Sequence, residues 1–321
     1  MRIDAFTHVS PERYLDRRRE IEGPGFRDIS GRLPQLRDAG ARIRNMDEAG
    51  IEKQVITLAV PPVEQATADP ETATELARFA NDSIAEMAGL YPDRIIPVGA
   101  VALTNIDAAL REAERCINHL GMVGVQICTN VAGRPLHDPE LLPFFELMAQ
   151  SNRPIWMHPY FNPAHTTAEY GLPLSIEQVF GWPFDSTVAM TSLIFGGVLD
   201  RFPGLSFITH HAGVLIPFFE QRIVTHLSPE AEAQLKRPLF DYYRSFYVDT
   251  AVQGSKGALL ASHSFYGTGQ MLLGTDTPYP VWKGGGKGYA IETIASVEAL
   301  PLPAADKEAI LGGTLQRLLG I

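Results

Sequence analysis

The chain has 321 residues, is 45% hydrophobic and 20% charged, and carries a formal net charge of −10 at pH 7. That composition is ordinary for a soluble globular protein and allows a large core, while the acidic balance argues against unspecific attraction to nucleic acid or to an anionic membrane surface. The two cysteines, Cys116 and Cys128, imply neither a disulfide framework nor a CxxC site, which fits a reducing compartment.

The N-terminus enters a strand directly, Arg2 to Phe6, with no signal-peptide pattern. No apolar run approaches the roughly 18 residues needed to span a bilayer, and the expected location is the cytoplasm. A polar stretch bearing glycine and proline follows to about Gly31 and reads as a long loop. Within it, Arg17-Arg18-Arg19 reads as a solvated face. A helix is expected over Arg37–Ala49, where Ile43, Met46 and Ala49 recur at helical spacing and Gly50 stops it. KQVITLAV is the second strand, Pro70 to Leu90 an alanine-rich amphipathic helix, and RIIPVGAVAL the third strand. Asn105 to Leu120 is a helix opened by an Asn or Asp cap. MVGVQIC is the fourth strand, followed by a helix from Asp138-Pro139, a cap with proline in the first turn. PIWMH is the fifth. An insertion, Pro159 to Pro183, carries aromatics and His165. The helix Ser186–Arg201 leads into LSFITHH, the sixth strand; SFYVDT and MLLGTD are the seventh and eighth. Helices near Gly288–Leu300 and Pro303–Leu319 close the chain.

Strands alternating with helices predict an α/β protein with parallel strands and crossover helices. The reading is a single domain, 1–321, a (β/α)8 TIM barrel with mouth insertions near 9–36 and 159–184. A doubly wound open sheet is the other reading. It calls for a Gly-rich loop after the first strand, where this chain has Phe6-Thr7-His8. The GGGKG cluster at Gly284–Gly288 follows the last strand and reads as a mouth loop, with phosphate binding as a weaker possibility.

His8, His158, His211 and Asp276 end four of the apolar runs. In a parallel barrel such ends converge on one face, where the active site lies. His8, His158 and Asp276 would give two nitrogens and one oxygen to a divalent metal, leaving positions open for water or substrate. His211 would act as acid or base. Taken singly, each histidine reads equally well as a structural hydrogen-bonding group, and Asp276 as a turn cap. His210 is expected to point away from its neighbour if strand alternation persists. Asp249 either orients a histidine, binds substrate or caps a helix. Trp182, Tyr160 and Phe161 either line a ring-binding pocket or pack the insertion on the barrel. Cys128 reads as a packing residue rather than a nucleophile.

The segments RIDAFTHVSP, RIRNMDEAGIEKQVITL, WMHP, FGWPFDSTVAMTSLIFGGVLDRFPGLSFITHHAGVLIPFFEQRI, FYVDTA, LLGTDTPYP and ILGGTLQRLLG resemble the aminocarboxymuconate-semialdehyde decarboxylase-related branch of the amidohydrolase superfamily over essentially the whole chain. The resemblance implies a distorted (β/α)8 barrel of the metal-dependent hydrolase kind. It implies one divalent metal, zinc or manganese, bound by an HxH pair on strand one, a histidine after strand five and an aspartate after strand eight. His8, His158 and Asp276 match three of these ligands. Phe6 stands where the first histidine of the pair belongs and cannot ligate a metal. The alternatives are a metal-free site in which His8, His158 and His211 hold substrate and shuttle protons, or a replacement ligand such as His165. By the same resemblance His211 matches the histidine after strand six, a proton-transfer residue. Arg222 matches an arginine that pairs with a substrate carboxylate, in some members across a dimer interface; its other reading is a surface ion pair.

The implied enzyme is a carbon–carbon lyase that decarboxylates an unsaturated or aromatic acid. The alternative is a metal-dependent hydrolase or hydratase acting on a lactone, amide or unsaturated acid. A degenerate barrel that only binds a ligand or a partner is a third reading. The expected partners are a small carboxylic acid substrate and a second copy of the chain, with no nucleic acid and no membrane. Val214, Leu215, Ile216, Phe218 and Phe219 either line the dimer interface or pack on the barrel.

Overall fold

The computed structural model describes residues 1–28, 33–162, 175–279 and 289–321. Its strands are β1 (Ile3–Val9), β2 (Lys53–Leu58), β3 (Ile95–Pro97), β4 (Gly99–Ala100), β5 (Val125–Cys128), β6 (Asn130–Val131), β7 (Arg134–Pro135), β8 (Ile155–His158), β9 (Phe207–Thr209), β10 (Tyr247–Asp249) and β11 (Met271–Leu272). One sheet runs β1-β2-β3 and the other β11-β10-β9-β8-β5-β4. β3 and β4 are one stave interrupted at Val98. The ring closes where Ala5 N donates to Leu273 O at 2.6 Å and His8 N to Thr277 O at 2.9 Å. All pairs around it are parallel; β6 and β7 form an antiparallel hairpin after β5. This is the TIM-like α/β barrel expected from the alternation of elements.

The staves are buried almost throughout because both faces of a parallel sheet are covered; all seven residues of β1 are buried, Asp4, Thr7 and His8 among them. Trp156 lies in the barrel interior with Phe6, Val55, Val98, Ile208 and Leu272, and Leu315 and Leu319 of the last helix pack on the same cluster. The indole Nε1 donates to Ala5 O at 2.8 Å, so the largest core side chain leaves no polar atom unmade. Helix starts follow local chemistry. Asp69 accepts from Thr72 N at 3.0 Å with Pro70 in the first turn, and Asn105 accepts from Ala108 N at 3.2 Å.

Three sequence expectations change. The stretch after β1 is not all loop: Glu12–Glu22 is a helix. Its ion pairs, Arg18–Glu22 and Arg17–Glu20, are spaced by a helical turn, and Tyr14, Leu15 and Arg18 form a buried face. Arg18 is therefore not solvated as its flanking charges suggest. The helix expected over Ser186–Arg201 begins at Trp182, ends at Phe195 and restarts at Val198. Gly197, at φ 73°, breaks it. The sixth strand stops at Thr209, two residues short of His211. His165 and the GGGKG cluster lie outside the described residues.

Candidate active site

Strand ends deliver the chemistry to one place. His8 comes from β1, His158 from the end of β8, His210 and His211 from the turn after β9, Asp249 from the end of β10 and Asp276 from beyond β11. His8, His158 and His210 are all buried and bring one nitrogen each within 4.8 Å of the others. His8 Nε2 lies 3.0 Å from Asp276 Oδ1 and 3.4 Å from His210 Nε2.

The outer nitrogens of the three rings are tied. His158 Nδ1 lies 2.6 Å from Pro159 O, and His210 Nδ1 is paired with the Asp249 carboxylate. His8 Nδ1 lies 3.2 Å from Thr57 Oγ1, whose own proton goes to Thr7 O at 3.0 Å. Carbonyl, carboxylate and hydroxyl oxygen each accept from Nδ1–H, so every Nε2 presents a lone pair inward. Burial, reinforced by the neighbouring imidazoles, holds His158 and His210 well below the ordinary histidine range, so both stay neutral. Three imidazole lone pairs and a carboxylate facing one another call for a cation. A proton on His8 would satisfy Asp276 alone and leave the other two rings unanswered. The donor set suits a divalent metal of the zinc or manganese type.

The carboxylates differ in environment. Burial pushes Asp249 up to about 6, leaving it ionised at neutral pH, and it also accepts from His211 N at 2.8 Å and Ala251 N at 3.0 Å. Burial pushes the Asp276 carboxyl up too, but His8, 3.0 Å away, and the other histidines around it outweigh burial and hold the group below the usual range. His211, Ala212, Val214 and Asp276 all adopt positive φ, between 53° and 65°. Each costs about 1–3 kcal/mol, and such residues cluster where geometry serves a site.

A second network holds the first from behind. Arg42 is fully buried and donates to Thr7 Oγ1 at 2.9 Å, Gln54 Oε1 at 2.6 Å, Gln35 O at 3.0 Å and the His8 carbonyl. Gln54 Nε2 donates to Asp4 Oδ2 at 2.9 Å, and Asp4 accepts from Thr275 N at 3.0 Å and Thr275 Oγ1 at 2.6 Å. The chain of bonds runs from the backbone of His8 to the residue before Asp276.

The site opens into a cavity of about 1580 Å³ with mostly apolar walls, among them Tyr160, Trp182, Val214, Leu215 and Tyr279, and with His158, His211 and Asp276 exposed to it. His211 Nδ1 and Trp182 Nε1 are buried there without a hydrogen-bond partner among the described residues.

The structure thus brings together His8, His158 and Asp276, and puts His211, Trp182 and Tyr160 on the cavity wall. It corrects the expectation for His210 and places Arg222 outside the cavity of its own chain. His210 does not turn away: the strand has ended at Thr209, so alternation no longer applies, and its ring stacks beside that of His211 at 4.9 Å. Asp249 is the carboxylate that orients it. Arg222 does not reach the cavity of its own chain. It is exposed on the helix Ile216–His226, whose buried residue is Ile216, and among the described residues no arginine or lysine lines the cavity. Phe161 is likewise absent from the wall. Cys128 is buried with its thiol pushed well above the ordinary range by burial, as fits a packing residue. Phe218 is 80% exposed on the same helix as Arg222, whereas Ile216 packs in the core.

The chain is 28% identical to 2-amino-3-carboxymuconate-6-semialdehyde decarboxylase of Dictyostelium discoideum over 345 residues, covering 100% of this chain and 92% of that protein. It superimposes on the crystal structure of 2,6-dihydroxybenzoate decarboxylase from Rhizobium with a TM-score of 0.83 at 26% identity, covering 99% of this chain and 98% of that one. A dihydroxybenzoic acid decarboxylase from a Polaromonas species, solved with manganese and the inhibitor 2-nitroresorcinol, gives a TM-score of 0.79 at 26% identity, covering 99% of this chain and 96% of that one. The family model described as Amidohydrolase matches residues 3–321, and the chain belongs to that family.

Proposed function

We propose that this chain decarboxylates an aromatic or unsaturated carboxylic acid, using one divalent metal, manganese or zinc, held by His8, His158 and Asp276. The observation that carries the reading is the convergence of inward-facing imidazole lone pairs and an ionised carboxylate at the floor of an apolar cavity. The names of the relatives favour a lyase over the hydrolase alternative. When bound, the metal supplies positive charge that steadies a carboxylate or an adjacent hydroxyl and the charge that develops on it.

The residues divide the remaining work. In a hydroxylated aromatic acid, the ring carbon bearing the carboxylate takes up a proton. The bond to the carboxylate then breaks, its electron pair returns to the ring, and CO2 leaves. His211 delivers that proton, since its ring faces the cavity with Nδ1 unpartnered. Asp276, ionised in the resting site, receives the proton of an adjacent hydroxyl. Trp182 and Tyr160 flank the ring and exclude water.

Arg222 joins this reading only in a homodimer, where an exposed guanidinium could reach a neighbour's substrate. Phe218 at 80% exposure, Phe180 at 60% and Phe184 at 46% are the apolar surface that such a dimer would cover. A cytoplasmic setting is in keeping with two free, buried cysteines. Among the described residues no helix is long and apolar enough to cross a membrane.

The test is a screen of hydroxybenzoates, muconate derivatives and pyrone carboxylates for CO2 release, with chelated and with metal-reloaded protein, in heavy-oxygen water. CO2 equal to substrate consumed, with no solvent oxygen in the organic product, is expected. Solvent oxygen in that product without CO2 overturns the reading in favour of hydrolysis or hydration.

A further inference from the structure

Phe6 raises a question about the metal set. It occupies the strand-one position from which a ligand would come, and its ring lies flat on His210, with centroids 3.6 Å apart and planes 11° from parallel. The aromatic side chain thus fixes the orientation of a neighbouring imidazole. We infer that His210 is itself a metal ligand in this chain, standing in for the one that Phe6 denies. The inference rests on the metal-dependent reading above and adds a third imidazole to it.

Three features support the assignment. His210 Nε2 lies 3.4 Å from His8 Nε2. Two imidazole nitrogens that both turn lone pairs to each other repel at that distance, whereas ligand nitrogens on one tetrahedral zinc, with bonds of about 2.1 Å, sit about 3.4 Å apart. Next, His210 Nδ1 is paired with Asp249, a fixed carboxylate that accepts from two backbone amides as well. A carboxylate behind an imidazole is the arrangement that raises ligand basicity and sets ring direction. Finally, His210 is fully buried and does not line the cavity, whereas His211 does. Its inward nitrogen therefore meets the other ligands rather than substrate, which leaves the proton work to His211.

The test uses zinc-loaded and cobalt-loaded protein of the full chain. X-ray absorption at the zinc edge of the wild-type protein is expected to count three imidazoles; two would overturn the inference. Cobalt titration of metal-free protein, followed by calorimetry and visible absorption, is expected to show affinity at least about 100-fold weaker in His210→Gln, with an altered visible spectrum, and recovery in the Phe6→His/His210→Gln double variant. His158→Gln separates the two levels of the claim. If it loses cobalt while His210→Gln binds with wild-type affinity and spectrum, His210 is not a ligand but the metal site stands. If wild-type protein takes up neither metal, the metal-dependent reading itself fails.

Discussion

Arg42→Met tests whether the buried network positions the site. The guanidinium donates to four acceptors, two of which belong to β1 itself, the Thr7 hydroxyl and the His8 carbonyl. Burial lowers Arg42 to about 10, so it is charged at neutral pH and faces Asp4 through Gln54. Methionine fills much of the volume but leaves those acceptors unmade and the Asp4 carboxylate uncompensated. Removing one partner of a buried charged network costs about 3–5 kcal/mol. For a chain of this size that corresponds to a fall in Tm of about 4–7 °C. Because His8 loses its backbone anchor, cobalt affinity should fall about 10–100-fold as well, the usual effect of disturbing a ligand's support. Arg42→Lys keeps the charge without the fork and should fall between the two. Calorimetric melts and cobalt titration of the three proteins provide the assay. A Tm within about 1 °C of wild type together with unchanged cobalt affinity would refute the idea that this network sets the position of His8.

Other outcomes follow from the same geometry. His211→Ala and Asp276→Ala should each lower kcat for CO2 release by about 10²–10⁴-fold while leaving Tm within a few degrees, measured by turnover and thermal melts. Wild-type rates in both would remove the proposed proton path. Gly274→Ala should weaken cobalt binding and lower Tm, because a Cβ there would meet Asp249 Cβ at 2.6 Å and push that carboxylate off His210; a titration matching wild type would contradict the close approach. Trp182→Phe keeps a ring on the cavity wall but removes the unpartnered indole N–H. It should raise KM about 5–10-fold, with a smaller effect on kcat, if that donor meets the substrate.

The barrel was legible because both faces of each stave are buried. Runs such as IWMH and MLLGTD therefore stay mostly apolar until they reach the mouth, and the residue that ends the run is the one that can do chemistry. His8, His158, His211 and Asp276 were readable for that reason. His210 was not: its direction depends on where β9 ends and on the positive φ of His211 and Ala212, and no residue type there announces it. The helix Glu12–Glu22 was hidden by charge, since its buried face is only Tyr14, Leu15 and the stem of Arg18. Arg42 escaped notice because an arginine on an amphipathic helix ordinarily faces water, and its partners Gln54, Asp4 and Thr275 are scattered along the chain. Arg222 carried a family role by position, yet in one chain its helix turns it outward.

In the proposed reaction the imidazoles and carboxylate at the barrel mouth hold a metal that CO2 release requires. The most direct measurement follows metal content and CO2 release on the same samples, as isolated, after chelation, and after return of manganese or zinc. One metal per chain is expected, with CO2 release lost when the metal is removed and recovered in proportion to the metal returned. Full CO2 release from protein shown to contain no metal would contradict it.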